Sequence, residues 1–117
     1  MATLSPHEYL PLSPAVFHIQ LALAEDDAHG YAIMRDIEER TGGVIKVGPG
    51  MLYGSIKWLL EEGLIKESPR RSSTREDERR KYYRLTSGGL SVIKAEAARL
   101  DAAVSLARTR KVLGRRT

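Results

Sequence analysis

The run Gly50-Met51-Leu52-Tyr53-Gly54-Ser55-Ile56-Lys57-Trp58-Leu59-Leu60-Glu61-Glu62-Gly63-Leu64-Ile65 constrains the fold more than any other part of the chain. Leu52, Ile56, Leu59 and Leu60 recur at helical spacing and make one inward stripe, which leaves Tyr53, Gly54, Ser55 and Lys57 on an exposed front. Gly63 then stops the helix directly before a strand. Further on, Arg79-Arg80-Lys81-Tyr82-Tyr83-Arg84-Leu85-Thr86 is a second strand, basic and aromatic. Alternation puts Ile65, Tyr83 and Leu85 on one face of the pair and Lys66, Arg80, Tyr82 and Arg84 on the other. The polar stretch 70–78 between the strands is a long loop tip.

The remaining elements follow from caps and periodicity. Residues 1–12 carry two prolines and no period, and read as an N-terminal arm. Ser13-Pro14 starts a helix that runs to about Glu25, with Val16, Phe17, Ile19, Leu21, Leu23 and Ala24 covering a wide apolar face. His29-Gly30-Tyr31 opens a second helix with Tyr31, Ile33, Met34 and Ile37 at helical spacing, closed by Thr41-Gly42-Gly43. Val44-Ile45-Lys46-Val47 is a short β-prone run, and Pro49 fits the start of the third helix. Thr86 and Ser87 can cap a last helix. On it Leu90, Ile93, Ala97, Leu100, Val104 and Ala107 recur as a heptad seam, the pattern of helix-on-helix dimerisation. The expected fold is mainly α with a small β-hairpin: an arm at 1–12, a winged helix-turn-helix at 13–86, and a C-terminal dimerisation helix with a basic tail at 87–117.

Charge and composition narrow the function. The chain has 117 residues and a net charge of +4. Between Lys66 and Arg84, eight basic residues face four acidic ones, which equals the excess of the whole chain. A helix beside a basic hairpin can enter the major groove of DNA while the hairpin touches the flanking backbone. Tyr53, Gly54, Ser55 and Lys57 on the helix, and Arg79, Arg80 and Lys81 on the wing, are therefore the expected contacts with double-stranded DNA. His29 could add a phosphate contact at the start of the second helix, although a lone histidine is more often structural. There is no cysteine, no nucleophile beside a base, no phosphate loop and no metal-ligand spacing, so neither an enzyme nor a cofactor is implied. The N-terminus lacks the pattern of a signal peptide, and no apolar stretch is long enough to span a membrane, which points to the cytoplasm.

Four ordered blocks carry a resemblance: Leu23-Ala24 with His29-Gly30-Tyr31-Ala32-Ile33, then Pro49-Gly50-Met51-Leu52-Tyr53, then Glu61-Glu62-Gly63-Leu64-Ile65, then Arg80-Lys81-Tyr82-Tyr83-Arg84-Leu85-Thr86. From about Ala15 to Thr86 the chain resembles the PadR family of transcriptional regulators. The resemblance implies a two-fold dimer through the C-terminal helix, Tyr31 packed inward, repression at a palindromic operator, and release by a small-molecule effector. Two positions depart from the family pattern: Met51 stands where threonine is usual, and Trp58 where arginine is common. Trp58 reads either as core packing or as a ring for a flat ligand. The two exchanges also motivate an alternative function, a winged-helix protein-interaction module without sequence-specific DNA reading.

Overall fold

The computed structural model describes residues 5–69 and 80–114. The loop tip at 70–78, Arg79, and the tail residues Arg115 and Arg116 lie outside the described residues. In chain order the elements are a 3-10 turn at Pro6–Tyr9, α1 at Pro14–Glu25, β1 at Ala28–His29, α2 at Gly30–Arg40, α3 at Pro49–Glu61, β2 at Ile65–Glu67, β3 at Tyr82–Leu85 and α4 at Ser87–Thr109.

Local chemistry fixes the ends of these elements. The Ser13 side chain accepts from Val16 N–H at 3.2 Å, and Pro14 occupies the first turn of α1, where its missing N–H costs nothing. α3 closes in a Schellman turn. Leu64 N–H donates to Leu59 C=O at 2.9 Å and Gly63 N–H to Leu60 C=O at 3.1 Å, with Gly63 at φ +75°. Thr86 caps α4 by accepting from Gly89 N–H at 3.0 Å, and its hydroxyl donates to Gly63 C=O at 2.6 Å. One threonine thus joins the end of α3 to the start of α4.

The core lies where α1, α2 and α3 meet the small sheet. Ile19, Ile33, Ile37, Leu52, Leu59 and Leu64 are fully buried there, and each stabilises the fold by about 1.5–3 kcal/mol relative to exposure. The sheet has the order β1-β3-β2, with both pairs antiparallel. Ile65 pairs with Leu85 and Glu67 with Tyr83, while Ala28 and His29 add a third strand beside Tyr83 and Tyr82.

Several expectations are corrected. Val44–Val47 is not a strand. Thr41 Oγ1 accepts from Ile45 N–H at 3.1 Å and donates to Ile37 C=O at 2.8 Å, which folds this run back onto the end of α2. Tyr31 does not pack inward; it is 53% exposed, with the Arg35 guanidinium over its ring. Tyr82 is buried although alternation placed it outward, because β1 and the His29 ring cover that side of β3. Ile93 is buried within the chain, facing the body rather than a seam. The described part of the arm, 5–12, is tied to the body. The Tyr9 hydroxyl donates to Glu62 at 2.8 Å, its ring meets Trp58 edge-on at 5.9 Å, and Leu12 N–H donates to Glu96 at 2.7 Å.

Candidate nucleic-acid interface

At about 100° per residue, the open side of α3 runs from Tyr53 through Lys57, Gly50, Gly54, Trp58 and Met51 to Ser55, while Leu52, Ile56 and Leu59 face the core. Gly50, Gly54 and Trp58 occupy the middle of this arc, with Lys57 beside Gly50. A Cβ added at Gly50 or Gly54 would meet nothing within 4 Å, so the helix face is bare and open at these two positions. Such a surface lets a helix backbone approach a groove closely.

Tyr53 is half exposed and leans over the start of α2. A Cβ at Gly30 would lie 2.6 Å from the Tyr53 hydroxyl, so only glycine at 30 admits this placement. Tyr53 belongs to a cleft of about 320 Å³ that also gathers His29, Gly30, Arg80, Lys81 and Tyr83. The cleft lies where the N-terminus of α2, the front of α3 and the root of the wing converge. Helix N-termini favour anions because their first N–H groups have no partner within the helix.

The electrostatics of the cleft depend on the tautomer of His29. Its Nδ1 accepts from Ala32 N–H at 3.2 Å and so caps α2. A neutral ring then carries its proton on Nε2. Nε2 lies 3.1 Å from the Arg80 guanidinium, and the Tyr82 ring holds the imidazole edge-on at 5.2 Å. The imidazole and the guanidinium therefore sit side by side at the cleft, and a guanidinium is a strong donor to phosphate oxygens. Burial, and then the nearby Glu67 and Tyr53, push the Tyr83 phenol above its usual value, so it stays protonated at the cleft floor.

A second cluster fixes the wing. Arg84 donates to both oxygens of Asp27 at 2.8–3.2 Å, and the Ser68 hydroxyl donates to the same carboxylate. The hydrogen bond to Asp27, and its charge, hold the Arg84 guanidinium above its already high pKa. Asp27 thus clasps β3 and the end of β2 to the α1–β1 loop. Arg84 counts in the basic excess of the wing yet works as a strut. Asp27 does not stand out in the sequence, because its partners Ser68 and Arg84 lie 41 and 57 residues away. The signal available was an acidic pair directly before the residues that pair with a basic strand.

The structure therefore gathers His29, Tyr53, Arg80 and Lys81 around one cleft, with Gly54 and Lys57 on the adjoining face. Ser55 is half-buried on the opposite flank of α3, in a shallow groove shared with Met51, Val44 and Lys46, apart from the Tyr53 cluster. Arg79 lies outside the described residues. Among the seam positions, Leu90, Ala97, Leu100 and Val104 are exposed and Ala107 is half-buried. No residue of α4 beyond Glu96 is buried, so among the described residues the second half of this helix is largely open. Among the described residues no group of side chains could hold a metal, and no helix is long and apolar enough to cross a membrane.

Comparison with known proteins agrees with this geometry. Residues 19–95 match the model of the transcriptional regulator PadR-like family. A PadR family transcription regulator from Clostridium difficile superposes with a TM-score of 0.71 at 23% identity, over 83% of this chain and 97% of that one. A transcriptional regulator from Clostridium thermocellum gives 0.66 at 24% identity, over 88% and 93%. RosR from H. salinarum gives 0.60 at 29% identity, over 83% and 78%. The transcriptional regulator YqjI of Escherichia coli is 40% identical over 43 residues, which are 37% of this chain and 21% of that protein. The chain thus aligns with only about a fifth of the length of this curated relative.

Proposed function

Because this chain belongs to the PadR-like family of transcriptional regulators, we propose that it is a dimeric, sequence-specific DNA-binding repressor. The observation that carries this reading is the convergence of His29, Tyr53, Arg80 and Lys81 on one cleft beside the open face of α3. In this reading α3 enters the major groove with Gly54 and Lys57 at its centre. Tyr53 and the His29–Arg80 pair grip a flanking phosphate, and Lys81 and Arg79 follow the backbone along the wing. Family membership agrees with a regulator rather than an enzyme.

The uncovered half of α4 supports a homodimer. Ala97, Leu100 and Val104 lie along one stripe, and their alanine lets a partner helix approach closely. Two copies would present two α3 helices to half-sites about one helical turn apart. Bound at a promoter, the dimer would exclude polymerase, and an effector that alters the angle between copies would release it.

The test is fluorescence anisotropy with the duplex upstream of the gene, against a scrambled duplex of equal length, over a range of salt. Tight binding to the native duplex alone, weakening steeply with salt, is the expected result. Equal weak binding to both duplexes would overturn sequence-specific reading. The alternative, a protein-interaction module, is favoured by the exposed Met51. Its apolar interface would lack the steep salt dependence.

A further inference from the structure

We propose that Met51 is a specificity residue of the reading helix and takes the 5-methyl group of a thymine in the major groove. The inference rests on the DNA-binding reading above and deepens it. Met51 is in the first turn of α3 and is 60% exposed, a large apolar side chain between Trp58 and Ser55 on the open arc that also carries Tyr53, Lys57 and two glycines. It has no donor, so a phosphate offers it nothing. The thymine methyl is the apolar group among the polar edges that base pairs show in the major groove. The bare backbone at Gly50 and Gly54 allows the helix to come close enough for a side chain at 51 to reach base edges. Lys46, in the same shallow groove as Met51, and Lys57 on the adjoining arc supply positive charge on both sides of it. A polyanion drawn to those lysines would lay its groove across the thioether. The unbranched, polarizable side chain can adapt its rotamer to the methyl.

The experiment uses the full chain and the tightest duplex selected from a random-sequence pool. Each thymine of that duplex is replaced in turn by deoxyuridine, which deletes the methyl and leaves base pairing intact. Wild type should weaken about fourfold at one thymine in each half-site, the value expected for one buried carbon. Met51→Ala should bind the unmodified duplex more weakly and should not weaken further when that thymine is replaced. Wild-type affinity that ignores every deoxyuridine, or a Met51→Ala variant that keeps the full fourfold loss, would overturn the assignment to Met51 while leaving DNA binding in place. A pool that yields no enriched duplex would overturn the DNA-reading proposal itself, and this inference with it.

Discussion

Glycine at 30 and glycine at 89 both admit a close contact, with opposite consequences. At Gly30 the neighbour is the far end of a flexible ring, so Gly30→Ala should leave the fold intact and swing Tyr53 out of the cleft. We expect DNA affinity to fall by roughly three- to tenfold, the range for losing one positioned polar contact, with the melting temperature nearly unchanged. Wild-type affinity in this variant would remove Tyr53 from the interface. At Gly89 a Cβ would lie 1.9 Å from the Leu64 carbonyl oxygen, and backbone cannot step aside. Gly89→Ala should cost about 3 kcal/mol or more, read as an early midpoint in urea. Lys57→Ala, at an exposed position, should lower the salt slope of DNA binding by about one unit.

At the scale of elements, α4 divides into two halves with different work. Gly89, Val92, Ile93 and Glu96 fasten its first half to the body, and the second half is uncovered. Leu100 is 37% exposed, so Leu100→Asp should halve the mass seen in light scattering without unfolding the protomer, because the charge would be buried only between copies. An unchanged mass would move the interface elsewhere. The heptad pattern in the sequence could not separate Ile93 from Leu100, since both satisfy the same spacing and only the position of the body tells them apart. The helices were legible because Ser13, Gly63 and Thr86 are strong punctuation. β1 is not legible, because two residues are too short to show a period, and without β1 alternation alone leaves Tyr82 facing outward. Of the cleft, Tyr53, Arg80 and Lys81 could be read from charge and helix face, whereas the Asp27 clasp depends on chain segments meeting across 57 residues.

At the scale of the whole molecule, acid should act through Glu96. This carboxylate is 1% exposed, and its bond from Arg99 holds its pKa below the ordinary 4.5 despite the opposing effect of burial, with Leu12 N–H adding to the lowering. A pKa lowered on folding stabilises the protein at pH values above the unfolded one. That stability is lost as pH falls from about 4.5 through the lower folded value. Glu96→Gln should flatten this acid limb in a series of thermal melts between pH 3 and 6. An unaltered limb would mean that another carboxylate governs it. Glu96→Ala should cost about 2 kcal/mol at neutral pH by leaving the Leu12 N–H without its acceptor.

The Leu12–Glu96 bond also sets an order of events in the cell. Its donor leaves the ribosome 84 residues before its acceptor, a wait of roughly 4–17 s at ordinary rates of synthesis. During that interval the Leu12 N–H has no acceptor on the last helix, and the segment is held by Tyr9 against Trp58 and Glu62 once those are made. Leu12 is thus among the last residues to find its partner, and a nascent chain halted before residue 96 would hold this segment only at its Tyr9 end.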